Sequence, residues 1–261
     1  MIRDGFALRP TTRLTMSHDP DIARALGYPY PAPTGDFIWR GGKVTPFDVE
    51  LSLEDRTPVL AVGSNRAPEQ LLRKFGETAI VPVTVAHLMD HDVVYSAHMA
   101  SYGSIPATLA PSPGTLVTVS LTWLTDTQLQ RMHETEAVGV NYDYGESEAL
   151  SIDLGPRRPT GPIGCYLGRR GALGVNGAPV ALLEIDATAR SYKALGQSEI
   201  LNQVHDGFSN GQNVDAEDFD SWLSSLIRDR AARQEVTETL TKQSIPIDLA
   251  TFKRLDMAPL T

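Results

Sequence analysis

The chain has a single cysteine, Cys165, among its 261 residues. That excludes an intrachain disulfide and any zinc site built from several thiolates. Long apolar runs are also missing: no stretch approaches the ~20 residues that cross a bilayer as a helix. The opening MIRDGFALRPTTRLTM lacks the apolar centre of a secretory signal. Arg3, Arg9 and Arg13 lend it a faint presequence character, which Asp4 and the prolines oppose. A cytoplasmic address is the expectation. The third absence is cationic excess. A net charge of -9 supplies no basic stripe to displace counterions from nucleic acid, and it repels an anionic membrane surface. Neither partner is expected. What is present is 41% apolar and 21% charged, with both signs mixed along the chain, as in an ordinary globular protein.

Three regions differ in texture. Residues 1–57 are rich in proline and glycine (GYPYPAPTG, then IWRGGKVTPF) and show no sustained period beyond a short turn at 21–26. They are expected to form an irregular arm. Its aromatic residues Tyr28, Tyr30, Phe37 and Trp39 need cover, from the following domain or from a second subunit, and a homodimer is left open. Residues 58–205 carry short apolar runs punctuated by turn signals. Strands are expected at 59–62, 80–87, 92–97, 115–124, 149–154, 163–167 and 179–186. Helix signals are fewer: a capping box from Thr125 to Gln128, a cap at Ser198, and a cap at Asp215 before the periodic Phe219, Trp222, Leu223, Leu226 and Ile227. Many strands with a few inserted helices give an α+β domain. Residues 206–261 are expected to form a C-terminal helix, continued outward by the polar stretch 228–242, and a tail ending near Pro246 and Pro259.

The segment VLAVGSNRAPEQLLRKF sets an apolar strand before Gly63, and a helix after it with Pro68 in the first turn. A Gly63-Ser64-Asn65 turn in that position aims several backbone N–H groups into one space, where they can hold a carboxylate or an oxyanion. Equally, Gly63 could simply make the turn and Asn65 cap the helix. A Ser64 nucleophile is disfavoured, because VGSNR lacks the second glycine of the G-x-S-x-G elbow.

Between Thr125 and Tyr144 stand two glutamates, Glu134 and Glu136. If the capped helix runs through both, Glu136 shares a stripe with Leu129 and Met132 while Glu134 faces solvent. Desolvation of such a carboxylate raises its pKa and suits it to proton transfer near neutral pH. The structural alternative is that Glu136 ends the helix or pairs with a buried arginine. Tyr142 and Tyr144 stand close enough in sequence to donate hydrogen bonds to it, or could simply be half-buried strand residues.

Together, AVGSN at 61–65 with PEQLL at 68–72, IPATLAPSPGTLVTV at 105–119, and LQRMHETEA at 129–137 followed by Tyr142 resemble the γ-glutamylcyclotransferase-like family. Its members carry Tyr-Gly-Ser-Asn before a helix and a later Leu-x-x-Leu-Asp-x-x-Glu-Gly segment. The resemblance covers 58–205 and implies a small mixed β-barrel with inserted helices. It implies that Glu136 is the general acid/base and that Gly63, Ser64, Asn65 and Tyr142 bind substrate. The implied substrate is a small molecule with a carboxylate or γ-glutamyl group, converted to 5-oxoproline without metal or organic cofactor. Val62 replaces the family tyrosine, Ala137 the glycine after the glutamate, and Arg66 an apolar residue. A catalytically silent binding or interaction protein on the same fold is the rival expectation.

Other features are set aside. Cys165, in GPIGCYLG, reads as a small buried hydrophobe. His87, His91 and His98, with Asp90 and Asp92, fall in strand-like alternation, where the H-x-x-x-H spacing does not put two imidazoles on one face. The glycines at 161–177 lack a P-loop context and read as a hairpin loop. Arg157, Arg158, Arg169 and Arg170 read as solvated loop charges.

Overall fold

The two longest alternating stretches of the chain pair with each other. In the computed structural model, which describes residues 19–211 and 218–257, these are β4 (Val81–Tyr95) and β5 (Ala107–Leu124), antiparallel along nearly their whole length. Before them come α1 (Pro20–Leu26), the hairpin β1 (Phe37–Arg40) and β2 (Lys43–Pro46), β3 (Thr57–Ala61) and α2 (Pro68–Phe75). After β5 come α3 (Asp126–Thr135), β6 (Tyr142–Ser147), β7 (Ile152–Asp153) and β8 (Ile163–Gly168). The short strands β9 (Gly174–Val175), β10 (Ala178–Pro179), β11 (Ala181–Leu182), β12 (Ala187–Thr188) and β13 (Ala194–Leu195) follow. The chain ends in α4 (Gln197–Gly211), α5 (Phe219–Arg228), α6 (Arg230–Lys242) and β14 (Lys253–Arg254). No helix among the described residues is long and apolar enough to cross a membrane.

The result is α+β, with one large and mostly antiparallel sheet in the order β13-β11-β4-β5-β3-β8-β6-β14. Parallel pairing joins β3 to β8 and β11 to β13. The expected barrel is not closed: among the described residues no pairing joins β13 to β14, and the sheet is open. Alternation sends side chains to two cores. Leu60, Leu121, Cys165 and Leu167 enter one, which α1, α4, α5 and α6 cover; Val59, Val83, Leu124, Tyr144 and Tyr166 enter the other, against Leu71 of α2 and Met132 of α3.

Several expectations change. The region before residue 57 is not simply irregular, since β1 extends the sheet by pairing with β4, and Phe37 and Trp39 enter the second core. Tyr28 and Tyr30 pack into the first core, so the arm's aromatic residues find cover within this chain. The runs at 80–87 and 92–97 are one strand, whose register shifts between Met89 and His91 with Asp90 in a left-handed conformation (φ 61°). The stretch after Arg228 is a separate helix, because Asp229 breaks the chain direction and caps α6 by accepting from the N–H groups of Ala231 and Ala232. The expected cap Asp215, the N-terminal residues Arg3, Asp4, Arg9 and Arg13, and Pro259 lie outside the described residues.

Candidate active site

The strand β3 delivers Val62 and Gly63 to the edge of the first core, and the chain then turns through one 3-10 turn at Ser64–Arg66 into α2. Gly63 is required by close approach. A Cβ at this position would fall closer than 3.0 Å to the Tyr28 hydroxyl and 3.2 Å from the Ala107 Cβ. Ala67, not Asn65, is the N-cap of α2, and it has no side chain with which to cap. The amide of Asn65 is used elsewhere: its Nδ2 donates to Glu136 Oε1 at 3.1 Å. The simple capping alternative for Asn65 is thereby excluded. Its Oδ1 is buried and accepts no hydrogen bond.

Glu136 arrives from the other side of the cavity. Thr125 and Gln128 form the expected reciprocal capping box, and Met132 anchors α3 with no exposed surface. The helix stops one residue earlier than the apolar stripe implied. Glu136 is its C-cap and Ala137 is left-handed (φ 49°), the conformation that glycine adopts most readily after a helix. Glu136 is therefore held at a helix end, not on the helix face.

Two side chains of α2, four residues apart and hence on one face, complete this wall. Gln70 Nε2 donates to Ser64 Oγ at 3.3 Å. The Lys74 ammonium contacts Glu136 Oε1 directly and lies 3.2 Å from Met132 Sδ. The side chains of Lys74 and Glu136 are 7% and 15% exposed, so the pair is screened from water on most sides. The buried partner of Glu136 is thus a lysine rather than the arginine that the sequence reading weighed, and the pair opens onto a cavity.

The opposite wall is aromatic. Tyr142, at the start of β6, donates its hydroxyl to the carbonyl of Ala107 at 3.1 Å, and not to Glu136. The Tyr28 oxygen accepts from the Ala107 N–H at 2.8 Å and also draws on the backbone of Ser64. Two phenols from distant segments therefore hold the Ala107 peptide from both sides. Burial pushes both phenols well above the ordinary tyrosine range, and the nearby Glu136 charge adds to the rise. Both remain protonated and neutral. His98 meets the Tyr142 ring edge-on at 5.7 Å, and its Nδ1 lies 3.0 Å from Ser96 Oγ. Burial, aided by the Arg170 charge, pushes its imidazole down to about 3.

These groups line a cavity of about 320 Å³, which brings together Gly63, Ser64, Asn65, Glu136 and Tyr142. Tyr28, Lys74, His98, Tyr102 and Tyr166 join them, none of which the sequence motifs marked as site residues. Larger depressions exist, about 460 Å³ beside Arg56 and Trp123 and about 710 Å³ between α4 and α6. Neither sets a buried carboxylate against a helix-entry turn.

The features set aside lie elsewhere. His91 Nδ1 is 2.9 Å from the Met89 carbonyl, and no group of three or more potential metal ligands converges among the described residues. Arg157 pairs with Asp36 and Arg169 with Asp143. The glycine-rich stretch holds β8 and the small β9–β10 hairpin. Cys165 is fully buried, and burial raises its thiol above the usual range.

No family model and no curated protein matches the chain. Solved structures that resemble it include two of partial coverage. One is described as a gamma-glutamyl cyclotransferase, at 20% identity and a TM-score of 0.36, over 43% of this chain and 66% of the other, just under two thirds of that protein. The second is an uncharacterized protein from Homo sapiens, at 19% identity and a TM-score of 0.37, over 48% of this chain and 70% of that one.

Proposed function

We propose that this protein cyclises a γ-glutamyl amine or γ-glutamyl amino acid to 5-oxoproline, with Glu136 as general acid/base. One juxtaposition supports the reading. The Glu136 carboxylate and the Gly63-Ser64-Asn65 turn face the same cavity, joined by the 3.1 Å Asn65–Glu136 contact. A ligand between them meets a proton acceptor on one side and backbone donors on the other.

In this scheme Glu136 takes a proton from the substrate α-amine while the nitrogen lone pair attacks the γ-carbonyl carbon. The C=O electron pair moves to oxygen, and the oxyanion is held by N–H groups of the turn other than that of Ser64, which the Tyr28 oxygen engages. Tyr28 adds a donor: with its oxygen occupied by backbone N–H groups, its own proton is available to the ligand. The C–N bond to the leaving amine then breaks as the oxyanion collapses, and that nitrogen takes the proton back from Glu136. The orphaned Oδ1 of Asn65 provides a further acceptor for the attacking amine.

A mass-spectrometric screen of γ-glutamyl amino acids, γ-glutamyl amines and glutathione tests the reading. Release of 5-oxoproline from at least one member supports it; stable, folded protein that converts none refutes it. A second reading, a silent binding protein, is favoured by Val62, which removes the family phenol, and by Lys74, which already occupies Glu136.

A further inference from the structure

The Lys74–Glu136 pair raises a problem that also indicates its use. A carboxylate held by a buried ammonium is not free to take a proton from anything else, and separating the two inside a cavity leaves both charges without compensation. Only a ligand that satisfies both at once can open the pair without that penalty. Such a ligand carries an anionic and a cationic group a few ångströms apart, as the head of a free α-amino acid does. Lys74 and the electrically neutral His98 are the basic side chains that line the cavity, so Lys74 is its cationic receptor. On the acidic side, the partnerless Asn65 Oδ1 lies next to Glu136 and gives an ammonium a second acceptor.

We infer that Lys74 is a substrate-binding and specificity-determining residue: the ligand's α-carboxylate takes the Lys74 ammonium from Glu136, and the ligand's α-ammonium takes its place on the Glu136 carboxylate. The exchange of partners leaves Glu136 against the group from which it must remove a proton. In that transfer an N–H bond of the ammonium breaks, an O–H bond forms on Glu136, and the electron pair stays on nitrogen for attack; the second proton that this nitrogen sheds as the ring closes leaves on the departing amine, which is released as its ammonium. The inference rests on the proposed cyclisation for that last step, but the binding exchange stands independently of turnover.

The test compares two ligands that differ only in the carboxylate. L-γ-glutamyl methylamide has it; 4-aminobutyryl methylamide lacks it and would cyclise to 2-pyrrolidinone. Each is assayed for turnover by mass spectrometry and for binding by calorimetry, with wild type, Lys74→Met and Lys74→Arg. Truncating one side of a buried charge contact weakens binding by roughly 30-fold or more. Wild type should therefore prefer the carboxylate-bearing ligand by about that factor, Lys74→Met should lose most of the preference, and Lys74→Arg should keep part of it. Comparing the ratio between ligands cancels any general damage to folding or to Glu136. Equal affinity of wild type for the two ligands, or a loss of the same factor for both in Lys74→Met, overturns the inference. Absence of turnover with the binding preference intact would refute the cyclisation while upholding the role of Lys74.

Discussion

Substituting Gly63 by alanine tests whether the Tyr28 hydroxyl really stands against the turn. The new methyl would lie closer than 3.0 Å to that hydroxyl and 3.2 Å from both the Tyr28 Cζ and the Ala107 Cβ. The hydroxyl cannot retreat freely, because it accepts the Ala107 N–H at 2.8 Å. Overpacking costs about 1–3 kcal/mol, and a buried N–H left without an acceptor costs about 1–3 kcal/mol more. Gly63→Ala alone should then destabilise by about 4 kcal/mol. Tyr28→Phe alone removes the acceptor and should cost about 2 kcal/mol. In the double variant the colliding oxygen is gone and the orphaned N–H is counted once. The double variant should cost about 3–4 kcal/mol, well below the sum of the two singles. Urea denaturation of the four proteins, read by linear extrapolation, measures the coupling. Additivity within about 0.5 kcal/mol, or a neutral Gly63→Ala, would refute the arrangement.

Two further outcomes follow from the same geometry. Ala137 holds a left-handed conformation at the end of α3, and a non-glycine residue there costs about 1–2 kcal/mol, so Ala137→Gly should raise thermal stability by about 2–4 °C; a lowered midpoint would contradict this. His98 is pushed down to about 3 in the folded chain, mainly by burial, from an ordinary value of about 6.5. Between those limits the unfolded chain binds a proton that the folded chain does not, so stability falls as pH drops through this window. His133, also lowered by burial, acts with the same sign. Replacing His98 with leucine should make the decline between pH 7 and pH 4 shallower, as followed by urea midpoints; an unchanged slope would remove His98 as a contributor.

Local chemistry was readable in the sequence, and long-range assembly was not. Thr125 and Gln128 announce α3 because both partners of the box lie within one turn, and Pro68 marks the start of α2 for a similar reason. Glu136 and the Gly63-Ser64-Asn65 turn were identified as separate motifs, and the fold places them at one cavity. The end of α3 was misplaced by a residue because alanine, a strong helix former, occupies the left-handed position after Glu136. Lys74 could not be paired with Glu136 from spacing alone, since 62 residues separate them. Tyr28 was recognised only as an aromatic residue in need of cover. Its role depends on α1 and the β1–β2 hairpin packing on the sheet, and nothing local encodes that contact. Strand β6 was not among the expected strands because YDYGES mixes charge and glycine with its tyrosines, although strand was an alternative for Tyr142 and Tyr144 and both are buried in it. Closure of a sheet is a property of how strand ends meet, and a list of strands does not determine it.

The central claim is that Glu136 transfers the proton in cyclisation. The most direct test is the rate of 5-oxoproline release from the best γ-glutamyl substrate by wild type and Glu136→Gln, with substrate affinity measured in parallel by calorimetry. Loss of a general acid/base lowers the rate by about 10²–10⁴, and the account predicts a fall in kcat of that size in a variant that still binds substrate. A Glu136→Gln protein with undiminished kcat would contradict it.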